Sequence, residues 1–130
     1  MELIWKRGSH ISERVIKEVE NHFNIVLPED YKKVVIDNNN ARPSINTFDT
    51  QFSKEHVFKK LLSLKKDDIE NVYKSKHVLE SIDIELFPIA NDPAGNLICL
   101  KAGKIVYWLH ENNKTLYVAD SFSDFLKSLY

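Results

Sequence analysis

The chain has 130 residues, 43% of them hydrophobic and 28% charged, with a formal net charge of −1. That length can bury one core of ordinary size, and the composition excludes a disordered or fibrous chain. Residues 1–65 carry 11 basic and 9 acidic groups and residues 66–130 carry 7 and 10, so no basic stripe marks a phosphate-backbone binder.

Met1-Glu2-Leu3-Ile4-Trp5-Lys6-Arg7 turns polar too early for a signal peptide. No apolar run approaches the ~20 residues needed to span a bilayer, so a cytoplasmic protein without membrane association is expected. Ser12 reads as a helix N-cap, with Ile11 and Ile16 as a hydrophobic staple. Val15, Ile16, Val19 and Phe23 then recur at helical spacing, which predicts a helix from about Glu13 to His22. Pro28 suits the opening of a second helix, where its missing N–H costs nothing. Glu29 and Asp30 follow where the helix dipole favours negative charge, and Tyr31, Val34 and Val35 form the apolar face. Asn38-Asn39-Asn40 ends it, since asparagine enters the left-handed region readily.

Asn46 to Phe52 reads as extended, while residues 43–66 as a whole fit strand or helix, because Val57, Phe58, Leu61, Leu62 and Leu64 satisfy both periods. A third helix is predicted to start at Asp67, with Ile69, Val72, Tyr73, Leu79 and Ile82 as its stripe. From Leu86 the period shortens. Leu86–Ala90, Leu97–Leu100, Ile105–His110 and Thr115–Ala119 are short runs separated by turn residues, the pattern of a β-meander. A last helix is capped by Ser121 with Asp124 and buries Phe122, Phe125, Leu126 and Leu129. The expected fold is α+β: one domain over 1–130, with an antiparallel or mixed sheet of about five to six strands. N-terminal helices and a C-terminal helix pack against its C-terminal meander.

Little in the residues suggests chemistry. Cys99 is a lone cysteine in an apolar strand, so it reads as an inert buried thiol. The five histidines lack a metal-ligand spacing, and Asp67-Asp68 reads as helix capping, so neither a metal nor a cofactor is expected. Asn91, Asp92 and Asn96 flank a tight turn at Pro93-Ala94-Gly95. They either present a polar rim to a partner or bond to the backbone to hold the turn. Alternation puts Val106, Trp108 and His110 on one strand face and Ile105, Tyr107 and Leu109 on the other. One face meets the helices. The other is either an aromatic platform for a partner or a second buried layer beneath the N-terminal segment, with Trp5 as a candidate for it.

Leu27-Pro28-Glu29-Asp30-Tyr31, Asn91-Asp92 with Gly95-Asn96-Leu97-Ile98-Cys99-Leu100, Tyr107-Trp108 and Ser121-Phe122 occur here in one order. In these motifs the chain resembles the SUKH superfamily, specifically its Smi/Knr-like group. Three positions depart from the group's pattern: Asn38-Asn39-Asn40 for Asn-Gly-Gly, Lys101 for an aspartate, and Leu109 for the acidic residue of Trp-Asp-His-Glu. The resemblance implies a non-enzymatic binding protein, a bacterial immunity protein that occludes a cognate toxin domain. Its alternatives are a regulatory scaffold, as in fungal relatives, or a small-ligand binder. Candidate partner-binding residues are Trp108, His110, Glu111, Asn91, Asp92 and Asn96; the expected partner is a protein, not a nucleic acid.

Overall fold

The computed structural model describes residues 2–130. In chain order its elements begin with Trp5–Lys6 (β1), Glu13–Phe23 (α1), Glu29–Val35 (α2), Arg42–Pro43 (β2), Thr47–Phe48 (β3), His56–Val57 (β4) and Lys60–Leu61 (β5). They continue with Val72–Leu79 (α3), Phe87–Asn91 (β6), Leu97–Lys101 (β7), Lys104–Trp108 (β8), Thr115–Ala119 (β9) and Phe122–Ser128 (α4). Strands β5 to β9 form one five-stranded sheet in sequence order, every pair antiparallel, and β1–β2 and β3–β4 form two small ribbons. The α+β class and the C-terminal meander are therefore as the sequence predicts. The sheet itself is purely antiparallel rather than mixed.

Local chemistry explains each junction. Ala102 and Gly103 both take positive φ (51° and 79°), the backbone a two-residue hairpin needs between Lys101 and Lys104. Pro88 sits in β6 where the register shifts between Pro88 and Ala90, so its missing donor falls at a bulge. Ser121 caps α4 as predicted, accepting from the Asp124 N–H at 3.0 Å. Asp30 at the start of α2 accepts from both the N–H and the hydroxyl of Ser123, each at 2.9 Å, and so ties α2 to α4.

The sheet is covered on both sides. Tyr107 meets Phe48 edge-on at 5.1 Å, and Phe48 in turn meets Phe125 of α4 at 5.5 Å. On the opposite side α3 packs on β6 through buried Val72, Lys76 and Leu79. Lys76 is held there by its stem and by two carbonyls, donating to Ile84 O at 2.8 Å and Leu86 O at 2.6 Å. Burial pushes its pKa down.

Three expectations need correction. Ser12 stands at the N-cap of α1, but its hydroxyl makes no capping bond; the helix is held by the buried Ile11 and Ile16. The third helix begins at Val72, not Asp67, because Asn71 is the cap, accepting from Lys74 N at 2.9 Å, while Asp68 accepts the Ser63 hydroxyl at 2.6 Å. Ile69 and Ile82, assigned to its buried stripe, are exposed. Trp5 packs on Phe58, with ring centroids 5.9 Å apart, which answers where that indole goes.

The asparagine run replaces Asn-Gly-Gly without strain. Only Asn40 within it has positive φ (67°), so one left-handed position suffices. Asn39 is fully buried instead, donating to Ser63 Oγ and accepting from Leu64 N, each at 2.9 Å.

Candidate functional site

The meander brings the β6–β7 turn and the β8–β9 loop to the same end of the sheet, and the segment before β4 reaches Tyr107 of β8 through Ser53 and His56. Asp92 organises this end. Its Oδ1 accepts from Ala94 N (2.9 Å) and Asn96 N (2.8 Å), and its Oδ2 accepts from Asn96 Nδ2 (2.9 Å) and the Tyr107 hydroxyl. Four donors on one buried carboxylate fix the turn, with Gly95 at φ 91° closing it. Burial, and then the bond to Asp92, raises the Tyr107 phenol well above the ordinary tyrosine pKa. It is a fixed donor, not an acid at neutral pH.

Asn96 relays this order outward. Its Oδ1 accepts from the backbone N–H of His110 at 3.0 Å, and the His110 ring lies over Gly95, 3.6 Å from where a Cβ would stand. His110 and Glu111 themselves are exposed. Three of the six predicted residues thus come together, Asp92, Asn96 and His110, with Glu111 beside them.

The other two point elsewhere. Asn91 is buried and donates through Nδ2 to Glu70 Oε2 at 2.5 Å. That carboxylate also lies 3.2 Å from Lys59 Nζ and 3.7 Å from Lys60 Nζ. Burial raises the Glu70 pKa, but the two ammoniums and Asn91 outweigh it, and the net direction is downward. Trp108 is 4% exposed, and its indole N–H finds no acceptor among the described residues. The aromatic platform is therefore not there: Trp108 and Tyr107 both belong to the core, one on each side of β8. Asn91 and Asp92, at 7% and 6% exposure, hold structure rather than form a rim.

What sequence reading missed is the segment between β3 and β4. His56 stacks on Tyr107 with ring centroids 4.8 Å apart, and its Nε2 lies 2.7 Å from the Ser53 hydroxyl. At the tip of that segment Phe52 is 78% exposed. The signal was present: Thr50 and Ser53 are turn formers, and a lone aromatic between them in a polar stretch marks a loop tip rather than a strand. Cys99 is fully buried, and burial holds its thiol well above the usual pKa, so it is no nucleophile. Among the described residues no group of three or more His, Cys, Asp or Glu side chains could hold a metal ion. No helix among them is long and apolar enough to cross a membrane. This end of the sheet presents the exposed His110 and Glu111 above a hydrogen-bonded base.

The profile of the SMI1 / KNR4 family (SUKH-1) matches residues 10–128. Among solved structures, the chain is similar to the crystal structure of a protein from Pseudomonas syringae pv. tomato, with a TM-score of 0.61 and 12% identity. That likeness covers 94% of this chain and 84% of the other, and at such low identity it concerns the fold alone. No curated protein matches the chain.

Proposed function

Because the chain belongs to the SMI1 / KNR4 family (SUKH-1), we propose that it is a non-enzymatic binding protein: an immunity protein that neutralises a cognate toxin domain by covering that domain's active site. The family match carries this reading, and the site supports it. The polar side chains of Asp92, Asn96 and Tyr107 are spent on one another, leaving a rigid base beneath the exposed His110 and Glu111. In this reading the exposed His110 and Glu111 face the partner, and Asp92 and Asn96 support them from behind. The protein acts in the cytoplasm, as a stoichiometric complex, with charge complementarity setting partner choice.

Co-expression with the toxin domain encoded beside this gene tests it. Growth is restored and the two proteins elute as a one-to-one complex. Continued growth arrest, with several endogenous partners recovered by affinity capture, would contradict the proposal and favour a regulatory scaffold.

A further inference from the structure

Among the described residues nine large hydrophobic side chains stand exposed, and Phe52, at 78%, is the only phenylalanine of the nine. A phenylalanine left in water at a loop tip gains nothing for the folded monomer, while the same ring in a partner's pocket is an efficient anchor. The loop that carries Phe52 is firmly held.

The loop is bonded from within and from both flanks. Thr50 N donates to Ser53 O at 2.7 Å, and Thr50 Oγ1 accepts from Phe52 N (3.2 Å) and Ser53 N (2.9 Å). On one flank Gln51 N donates to Tyr117 O of β9 at 3.1 Å. On the other, Ser53 Oγ lies 2.7 Å from His56 Nε2, and His56 stacks on Tyr107 of the candidate site. At its base Asp49 Oδ1 accepts from Glu55 N (3.0 Å) and from the Tyr130 hydroxyl (2.6 Å). An anchor held in place before encounter loses little conformational freedom on binding.

The surroundings state what fits. Beside the loop runs a shallow groove of about 370 Å³ whose walls include Gln51, Tyr117 and Val118. Tyr117 and Tyr130 are themselves 38% and 54% exposed, extending the apolar surface along β9. Carboxylates prevail around it: Asp49 and Glu55 in the loop, and Asp120 and Asp124 near Tyr117, against Lys54 and Lys104. Asp120 is partly matched by Lys104 at 3.2 Å; Glu55 forms no ion pair among the described residues.

We propose that the Thr50–Ser53 loop is a preformed docking element that inserts Phe52 into an apolar pocket of a protein partner whose rim carries lysine or arginine. This rests on the immunity reading and names the chemistry of the partner's face. Phe52 is the anchor, Tyr117 and Tyr130 flank it, and the carboxylates steer the encounter.

The test is isothermal titration, with stopped-flow mixing for the association rate, of the purified chain against the toxin domain encoded beside the gene, for wild type and four variants. Phe52→Ala weakens binding by about thirtyfold or more with an unchanged melting temperature. Thr50→Val, which removes the hydroxyl that holds the loop but no proposed contact, weakens it about three- to tenfold. Glu55→Lys slows association and reduces its salt sensitivity. Ile84→Ala, at an exposed hydrophobic beyond the C-terminal end of α3, changes nothing. Wild-type binding with Phe52→Ala within threefold of it would overturn the docking element while leaving the immunity reading standing, as would a loss confined to Ile84→Ala. Faster association of Glu55→Lys would overturn the basic rim. Failure of the wild type to bind would overturn the immunity reading and this inference together.

Discussion

Replacing Trp108 by alanine separates a core residue from an interface anchor, and the two differ in what the experiment reads. Trp108 is 4% exposed and closes the register as the last residue of β8, opposite Leu97 on β7 and Thr115 on β9. Truncating a buried tryptophan removes its transfer free energy and leaves a cavity, together about 3–5 kcal/mol. Against a typical domain stability of about 5–15 kcal/mol, that is a large fraction. With an unfolding entropy near 2.1 cal/mol/K per residue, the chain's 130 residues give about 0.27 kcal/mol/K. The melting temperature therefore falls by about 11–18 °C. Truncation breaks no hydrogen bond of the indole N–H, since no acceptor among the described residues meets it. Differential scanning calorimetry of the variant checks the figure. A melting temperature within about 2 °C of wild type, with partner binding lost, would refute the reasoning and return Trp108 to the surface.

Three further perturbations probe other parts of the structure. Tyr107→Phe removes one of four donors from the buried Asp92 carboxylate and costs about 1.5–3 kcal/mol by urea denaturation; a loss below about 0.5 kcal/mol would mean the turn does not depend on that bond. Lys76→Met keeps the aliphatic stem but strands the carbonyls of Ile84 and Leu86, so stability drops by about 2–3 kcal/mol; an unchanged or raised stability would show the buried ammonium to be dispensable. Asp83 pairs with Lys101 at 2.8 Å, and the ammonium holds its carboxyl below the ordinary aspartate value of 3.8. A depressed carboxylate stabilises the fold above that value and loses the contribution as pH falls through the lowered one. Asp83→Asn thus costs at most about 1 kcal/mol at neutral pH, because the pair is partly solvated, and flattens the fall in melting temperature below about pH 4. An acid limb identical to wild type would contradict the assignment.

The parts of the fold that were legible in the sequence are those set by neighbours along the chain. The four meander strands differ from the predicted runs by one or two residues at most, because short turns between apolar runs leave antiparallel pairing as the simple solution. Ser121 caps α4 for a similarly local reason. Residues 43–66 were illegible because their order comes from distant partners. Arg42–Pro43 pairs with Trp5–Lys6, and Lys60–Leu61 pairs with Ala90–Asn91, so two-residue strands form without a local signal. Asp67 misled because its neighbour Asp68 is engaged by the Ser63 hydroxyl, leaving Asn71 to cap α3.

The candidate site shows the same division. That Asp92 and Asn96 hold a turn follows from side-chain chemistry, and the sequence allowed it as one of two readings. That Trp108 is buried does not follow, since alternation assigns a side chain to a face without saying what covers that face. Phe52 was overlooked because its segment reads as extended, and its exposure depends on Thr50 and Ser53 bonding each other into a turn.

Inhibition of the proposed toxin partner, titrated with the purified chain, tests the central claim most directly. Occlusion predicts that toxin activity falls linearly to its minimum at one molar equivalent and returns when the complex is dissociated. Complete inactivation by a small fraction of an equivalent, persisting after the chain is removed, would mean that this protein alters its target chemically and would contradict the account.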